Sequence, residues 1–228
     1  MKLSIIMPVL NEASGIVDAL MALAPMRERG VEVVVADGGS SDATVELARP
    51  LADVLVVAPR GRGAQMNAGA AASTGNVLLF LHADTRLPSH ADFLIRDRLA
   101  RTGYSWGRFD VQIEGDHRLF PMIAEAINMR SRVTGIATGD QAIFATVPAF
   151  GPGFPDIPLM EDIVLSRRLK RVGPPLCIAT PAVTSGRRWE KHGVIRTILL
   201  MWWLRFAFFL GVNPAWLARC YGYVPRQT

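Results

Sequence analysis

Short apolar runs and helical stretches alternate along the N-terminal half of the chain. The runs are rich in Val, Ile and Leu and lie at residues 3–9, 31–36, 54–58 and 77–81. Runs of this kind are typical of strands that are buried on both faces of a parallel sheet. Helical stretches separate them, at residues 16–28, 43–48 and 64–72. The alternation predicts an α/β fold in which right-handed crossovers place helices against a mostly parallel sheet.

Beyond residue 100 the alternation becomes less regular. Two more strands are predicted at residues 106–113 and 141–145, and two more helices at residues 117–133 and 161–171. Residues 151–158 (GPGFPDIP) contain too many Pro and Gly for either element. They are interpreted as a loop that borders an active site.

The most apolar stretch lies near the C-terminus. Residues 197–212 (TILLMWWLRFAFFLGV) carry a single charge, Arg205. This is shorter than the roughly 20 apolar residues that a spanning helix needs. Because Arg196 and Arg205 fall on opposite helix faces, the helix is apolar nearly all round, which predicts burial. Packing on the rest of the chain, a homodimer through residues 194–212 and contact with a membrane surface stay open, with the first two favoured.

The excess positive charge lies beside this apolar stretch. Residues 1–185 carry 18 Lys and Arg against 19 Asp and Glu, whereas residues 186–228 carry seven against one. This distribution favours an anionic membrane surface or phosphate-bearing ligands. No zinc-finger, RNP-like or basic-helix motif in the sequence indicates nucleic-acid binding.

The cysteines and the first residues bear on location. Cys177 and Cys220 do not make a disulfide framework or a metal-binding spacing, which is typical of a reducing cytosol. The start, MKLSIIMPVLNE, is typical of a first strand and not of a signal peptide. A cytoplasmic protein is predicted, with peripheral contact at the inner face of the membrane left open.

Polar and glycine-rich turns follow the predicted parallel strands. Ligands bind beyond the carboxyl ends of such strands, so these turns should converge on one rim. Acids, glycines and arginines together suit a phosphate-bearing ligand and a divalent metal. The turns are Asn11-Glu12, Asp37-Gly38-Gly39-Ser40, Arg60-Gly61-Arg62-Gly63 and His82-Ala83-Asp84.

Each of these signals also has a purely structural alternative. Asp37 could accept hydrogen bonds from a base or ribose, or merely cap its own turn. Asp84 could hold a metal with a diphosphate, or cap the turn before Pro88. Arg60 and Arg62 could bind phosphate or lie in solvent.

Two later segments carry the same ambiguity. Glu161 and Asp162 are either ordinary acids of a first helical turn or, for Asp162, a general base for an acceptor hydroxyl. Arg187 and Arg188 could neutralise a leaving diphosphate while Trp189 packs on a sugar, or the group could lie at an interface.

Taken in order, these segments resemble the family 2 glycosyltransferases. PVLNE (residues 8–12) is similar to the P-x-x-N-E that lines the base, and DGGSSDAT to the segment whose acid, Asp37, binds the nucleoside. RGRGAQMNAGAAASTG resembles the stretch that runs under the nucleotide, and LFLHADTRLP resembles the strand end that carries D-x-D. PLMEDIVLSRRLKR resembles the helix that begins with E-D. TSGRRWEKHG in part resembles the Q-x-x-R-W segment. The match covers residues 3–193.

The resemblance implies a GT-A fold over residues 1–193, followed by a helical segment over residues 194–228. It implies inverting transfer from a nucleotide-sugar, with UDP favoured, to a small-molecule or lipid acceptor. Mn²⁺ or Mg²⁺ would bind at Asp84, and His192 is a further candidate ligand. The catalytic residues implied are Asp162 as base, with Glu161 and Arg188. The implied donor-binding residues are Pro8, Asn11, Glu12, Asp37, Gly38, Arg60, Gly63, Asn67, His82, Asp84, Arg187 and Trp189.

Two positions depart from the family pattern. His82 replaces the first acid of D-x-D, which bears on the metal, and Ser185 replaces the Gln of Q-x-x-R-W, which argues against a processive synthase. The runs LHADTRLP and GDQAIF are similar to a bacterial group of arsenosugar-biosynthesis or selenium-associated glycosyltransferases, and Gly139 and Asp140 are expected beside the acceptor. The alternatives are a nucleotidyltransferase-like enzyme and a non-catalytic nucleotide- or membrane-binding module.

Overall fold

A computed structural model describes residues 1–223, except for the side chain of Arg188. Within these residues eight strands form one sheet in the order β3-β2-β1-β4-β7-β6-β8-β5. The strands are β1 (Leu3–Val9), β2 (Glu32–Asp37), β3 (Val54–Val57), β4 (Val77–Phe80), β5 (Thr85–Arg86), β6 (Trp106–Glu114), β7 (Phe144–Thr146) and β8 (Leu176–Ser185).

Helices surround the sheet. They are α1 (Ile16–Met21), α2 (Ala24–Glu28), α3 (Thr44–Ala48), α4 (Arg62–Ala72), α5 (Ala91–Thr102), α6 (Phe120–Thr134), α7 (Val147–Phe150), α8 (Glu161–Val172), α9 (Arg187–His192), α10 (Val194–Phe209) and α11 (Pro214–Cys220). A short 3₁₀ helix covers Gly139–Gln141.

The first half of the sheet is parallel, as the apolar runs predict. β1 pairs in parallel with β2 on one side and β4 on the other, and β3 extends the sheet beyond β2. Every residue of β1, β2 and β4 is buried. The carboxyl ends of these three strands therefore lie side by side at one edge.

The second half of the sheet mixes directions. β7 runs antiparallel to both β4 and β6, and β8 runs parallel to β6. The pairing of β6 with β8 shifts register between Phe109 and Asp110, opposite Pro181. A Cβ at Gly107 would collide with the backbone of Leu176, so this close approach of β6 and β8 requires glycine.

Several predicted elements need correction. The helix predicted at residues 16–28 is two helices, because Pro25 lies in the first turn of α2 and begins a new helix there. The strand predicted at residues 141–145 begins only at Phe144, because Gln141 belongs to the 3₁₀ helix and Ala142, with φ of 46°, is in a left-handed conformation. β8 and α5 were not predicted.

The C-terminal helices pack against the body of the protein along one face only. Leu204 and Ala207 of α10 and Leu217 of α11 are buried against Met160 and Ile163. Burial all round was therefore the wrong prediction. The opposite face is exposed and consists of Ile195, Leu199, Trp202, Phe206 and Phe209 on α10, with Trp203, Leu210 and Trp216 beside it. In the part of the chain that the structure describes, no helix is long and apolar enough to cross a membrane. Residues 224–228 of the predicted C-terminal segment lie outside the described residues.

Candidate active site

The turns after β1 and β4 bring acids together at the carboxyl edge of the sheet. Burial raises the pKa of Glu12, and the negative charge of Asp84 raises it further, while Arg187 opposes the shift. Side chains that shift one another's titration lie close in space. The structure thus brings Glu12 and Asp84 together, as the strand-end argument predicts, and adds Arg187, which that argument did not include.

The turn after β2 is held by its own acid. The carboxylate of Asp37 is buried and accepts hydrogen bonds from the backbone N–H of Gly39 (2.9 Å) and of Ser40 (3.0 Å), and from the Ser40 hydroxyl (2.5 Å). Asn11, with φ of 55°, accepts from the N–H of Ser41 at 2.8 Å and so ties the two turns together. The capping alternative therefore describes what Asp37 does in this structure, and its contact with a nucleoside stays a prediction.

A cleft of about 360 Å³ opens beside Asp84. This volume reaches the range of roughly 300–1,000 Å³ that is usual for small-molecule sites. Among its lining residues are Ser14, Asp18, Asp84, Arg86, Glu114, Ser185, Arg187 and Glu190. Arg187 is exposed there and its Nε donates to the Ser185 hydroxyl at 3.0 Å.

The carboxylate of Asp84 fits a divalent cation. It is exposed, and its one side-chain contact is a long hydrogen bond of 3.3 Å from the Thr85 hydroxyl, so its oxygens are available to a hard metal. Among the described residues, no group of three or more His, Cys, Asp or Glu side chains is arranged to hold a metal. A cation here therefore needs oxygens from the substrate to complete its shell.

A second, smaller space is bordered by the turn after β4, which also borders the cleft. It has a volume of about 70 Å³ and brings together residues from the turn after β4, the 3₁₀ helix, α8 and the C-terminal helices. Its lining includes Arg62, His82, Gly139, Asp140, Met160, Asp162, Leu204, Arg205 and Tyr221. We call this space the polar cavity.

Asp162 borders the polar cavity in a fixed orientation. One carboxylate oxygen accepts the N–H of Gly139 at 3.0 Å, and the other accepts the N–H of Ile163 at 2.7 Å. Each oxygen keeps a lone pair for a further donor. The first turn of α8 and the 3₁₀ helix thus hold this carboxylate where it can accept a proton.

His82 faces the polar cavity and pairs with Asp140. Its Nδ1 lies 3.4 Å from a carboxylate oxygen of Asp140. Burial alone would lower the pKa of His82, but the contact with Asp140 outweighs burial and raises it, and the same contact lowers the pKa of Asp140. His82 stands where D-x-D has its first acid, and it pairs with Asp140. Asp84 is therefore the one carboxylate that the motif retains in this chain.

Glu161 holds Arg62, which lines the polar cavity. It is buried and forms an ion pair of 2.9 Å with Arg62. Burial raises the pKa of Glu161, and although burial would lower the pKa of Arg62, the charge of Glu161 raises it. The pair fixes Arg62, at the start of α4, against the start of α8.

Several predicted nucleotide-binding residues do not line the cleft. Asn67 donates to and accepts from the backbone of Phe154, at 2.9 and 2.8 Å, and so anchors the 151–158 loop. A Cβ at Gly63 would meet the carbonyl of Pro155, so this glycine lets the same loop approach α4. Arg60 is exposed with its guanidinium over the ring of Tyr223, and Pro8 is buried in β1. Their contacts with a nucleotide stay predictions.

The remaining predicted site residues are Gly38 and three residues of α9. A Cβ at Gly38 would collide with Gln65, whose amide binds the carbonyls of Val9 and Ala36. Trp189 packs in the cluster around Phe120 and not in the cleft. His192 is exposed and lines a different hollow from Asp84, so its role as a metal ligand stays a prediction. The side chain of Arg188 lies outside what the structure describes.

Sequence reasoning missed two arginines near Asp162. Arg205 of α10 lines the polar cavity, and Arg130 of α6 lies close enough for the charges of Arg205 and Asp162 to alter its pKa. A lone charge in an otherwise apolar helix was the available signal for Arg205. No signal in the sequence distinguished Arg130 from its neighbours on α6.

Comparison with solved structures identifies the fold. TarS 1–349 of S. aureus in complex with UDP superposes with a TM-score of 0.65 at 19% identity, over 81% of this chain and 60% of that chain. Glucosyl-3-phosphoglycerate synthase of Mycobacterium tuberculosis gives 0.63 at 18% identity, over 87% and 77%. The mannosyltransferase PcManGT of Pyrobaculum calidifontis gives 0.61 at 21%, over 81% and 56%. At these identities the likeness is one of fold.

The family is identified by the sequence. No curated protein matches the chain. Residues 4–153 match the family Glycosyl transferase family 2, and they contain β1 to β7 together with Asp37 and Asp84. The α/β fold and the family predicted from the sequence are thereby confirmed, and the chain belongs to glycosyl transferase family 2.

Proposed function

We propose that the protein transfers a glycosyl group from a nucleoside diphosphate sugar to an acceptor hydroxyl, with inversion at the anomeric carbon. The observation that carries this proposal is that one turn borders two spaces, one lined by Asp84 and the other by His82 and Asp162. His82 and Asp84, two residues apart in one turn, border the two spaces and link them. The donor would occupy the larger cleft, and the reacting acceptor hydroxyl would lie at the polar cavity.

On the donor side, this chain binds and orients the diphosphate. Asp84 would hold Mn²⁺ or Mg²⁺ together with diphosphate oxygens, and such a cation supplies positive charge that stabilises the leaving group. Arg187 lines the same cleft and would add a second positive charge. We assign Arg188 the same role, positive charge beside the diphosphate, only because of the resemblance of its R-R-W segment.

On the acceptor side, Asp162 is the proposed base. Its oxygens are fixed by Gly139 and Ile163, so it can accept the acceptor proton without reorienting. The acceptor oxygen forms a bond to the anomeric carbon while the bond from that carbon to the diphosphate oxygen breaks. A single displacement of this kind inverts the anomeric configuration. Glu161 acts through Arg62 as a positioning residue.

UDP is the favoured nucleotide. TarS and the glucosyl-3-phosphoglycerate synthase were solved with UDP, the latter also with Mn²⁺, whereas PcManGT was solved with GDP-mannose and Mn²⁺. We place the protein in the bacterial arsenosugar-biosynthesis or selenium-associated group on the runs quoted above. A catalytic domain of residues 1–193 is part of the same proposal.

Calorimetric titration with UDP and GDP, with and without Mn²⁺, tests the proposal. Mn²⁺ is expected to tighten UDP binding at least about tenfold, because Asp84 would hold the cation and the cation would add positive charge for the diphosphate. UMP is the matched control ligand, and Mn²⁺ should not tighten its binding because it lacks the diphosphate. If neither nucleotide binds, the transferase proposal is wrong and a non-catalytic module takes its place.

We also propose that the exposed face of α10 binds an anionic lipid surface, such as the inner face of a membrane. Ile195, Leu199, Trp202, Phe206 and Phe209 follow one helical face at spacings of three and four residues, and all are more than half exposed. Aromatic residues beside basic residues are typical of helices that lie in a membrane interface. The seven Lys and Arg of residues 186–228 favour anionic lipid over a second copy of the same basic segment. Cytoplasmic location stays a prediction.

Vesicle sedimentation measures this contact. Replacing Phe206 and Phe209 together with Ser is expected to lower partitioning into phosphatidylglycerol vesicles at least about tenfold, since burying one such side chain contributes roughly 1.5–3 kcal/mol. Phe93→Ser, an exposed aromatic on α5, is the control. A concentration-dependent dimer that the double variant abolishes, without vesicle binding, would assign the face to a homodimer instead.

A further inference from the structure

Arg130 and Arg205 present unused hydrogen-bond donors beside Asp162. The Nε and one terminal nitrogen of Arg130, and the Nε of Arg205, are buried without a partner. Neither guanidinium forms a hydrogen bond or an ion pair with any side chain in the described part of the chain. Arg62 and Arg108, by contrast, each have a carboxylate partner.

The unpaired state of these two side chains is electrostatically unfavourable. Burial lowers the pKa of Arg130 to about 10, and the positive charge of Arg205 contributes to this shift. Burial also lowers the pKa of Arg205. Buried guanidiniums are usually paired, since an uncompensated charge in the interior is costly. An anion between the two would relieve both the burial cost and their mutual repulsion.

The acids of the polar cavity do not fill this role. Asp162 and Asp140 raise the pKa of both arginines through space, but neither forms an ion pair with them. The oxygens of Asp162 are held by the N–H groups of Gly139 and Ile163, and Asp140 pairs with His82. Within residues 1–223, no acid thus pairs with the buried donors of the two guanidiniums.

The position of Arg205 suits the acceptor. Arg205 lines the polar cavity together with Asp162, whereas the donor cleft beside Asp84 is lined by other residues. The side chain of Asp140 is 49% exposed, so the cavity is open to solvent. Arginine forks match the oxygens of phosphate and carboxylate groups.

We propose that Arg130 and Arg205 bind an anionic group, a phosphate or a carboxylate, carried by the acceptor. The group would anchor the acceptor so that its hydroxyl meets Asp162. This inference rests on the proposed transferase function and adds the chemical class of the acceptor. It also gives α10, which lies outside the part of the chain that matches the family, a direct place in the active site.

Titration of the UDP–Mn²⁺ complex of the full chain with inorganic phosphate tests the site. Saturation with UDP fills the diphosphate subsite first, so that phosphate reports on the second site. Arg205→Gln and Arg130→Gln are each expected to weaken phosphate binding at least about tenfold, because each removes charge-assisted hydrogen bonds. Acetate, tested in parallel, distinguishes a carboxylate site from a phosphate site, and glycerol phosphate compared with phosphatidic acid vesicles distinguishes a soluble from a lipid source.

Thermal unfolding gives an independent readout. Phosphate at millimolar concentration is expected to raise the Tm of the unchanged protein more than that of the two variants, because an anion bound to the native state adds to the general stabilising effect of the salt. Without phosphate the variants should be at least as stable as the parent protein, since an unpaired buried charge is removed. A merely structural role would lower their Tm instead. Arg196→Gln removes the same charge from another face of α10 and is the control.

The outcomes separate this inference from the transferase proposal. Absence of anion binding by the unchanged protein, or equal binding by both variants, would overturn the anion site. Should UDP fail to bind, the transferase proposal fails, and the same phosphate titration on the free protein still decides whether Arg130 and Arg205 hold an anion.

Discussion

Replacing Asp162 with Asn is expected to lower glycosyl transfer by roughly 10²- to 10⁴-fold while UDP binding with Mn²⁺ changes little. The Asn side chain has the same shape, but its amide cannot take a proton from the acceptor. Asp162 borders the polar cavity and not the cleft of Asp84, so the donor site should be untouched. Release of UDP from a UDP-sugar that binds the protein measures the rate, with water or an added alcohol as acceptor.

Stability separates chemistry from folding in this variant. Asn offers one acceptor oxygen in place of two, so one of the hydrogen bonds from Gly139 and Ile163 is lost, at about 1 kcal/mol. Asp97→Asn, at an exposed position of α5 that lines neither space, is the control and should transfer at the parent rate. If Asp162→Asn keeps a rate close to the parent value with UDP binding intact, another group accepts the proton.

The parallel half of the sheet could be predicted because its strands are buried on both faces. A run such as IIMPV or VVVA leaves few alternatives to a central strand, and the turn after such a strand must lie at the carboxyl edge. This reasoning placed Glu12 and Asp84 together, and the pKa of Glu12 reflects that contact.

The second half of the sheet was harder to predict for local reasons. β8 contains Pro181 and alternates between buried and half-exposed residues, and an interior Pro normally argues against a strand. Here Pro181 lies at the register shift opposite Asp110, where a regular ladder is interrupted. α5 did carry a signal that was missed, since Ala91, Ile95 and Leu99 are buried at a spacing of four.

The arrangement of the active site could not be predicted without the tertiary structure. Apolar residues cover both faces of α10, so the sequence does not show which face packs on α8 and which stays exposed. That choice turns Arg205 toward Asp162 and leaves Trp202 in solvent. For Asn67 the sequence suggested a contact that the structure does not show. Its place in a family motif predicted a nucleotide contact, whereas its amide holds the backbone of Phe154.

Replacing Asp84 with Asn is expected to abolish the metal dependence of donor binding. A neutral amide is a weak ligand for Mn²⁺ or Mg²⁺, and no described group of three acids, His or Cys could replace it. Loss of residues that only support a metal ligand already costs about 10- to 100-fold, so UDP affinity with Mn²⁺ should fall at least about 100-fold, to its metal-free value. Calorimetry of UDP against Mn²⁺ and Mg²⁺ measures this effect.

Asp84 makes few contacts within the protein, so its replacement should have little effect on folding. Its carboxylate is exposed and accepts one long hydrogen bond from Thr85, so the substitution should leave Tm nearly unchanged. Asp97→Asn on α5 removes an exposed carboxylate that does not line the cleft and is the control. Because the charge of Asp84 raises the pKa of Glu12, the variant should lower that pKa and leave Glu12 ionised over a wider range of pH. An Asp84→Asn protein that still binds UDP more tightly with Mn²⁺ would place the metal elsewhere, with Glu12 as the first residue to replace next.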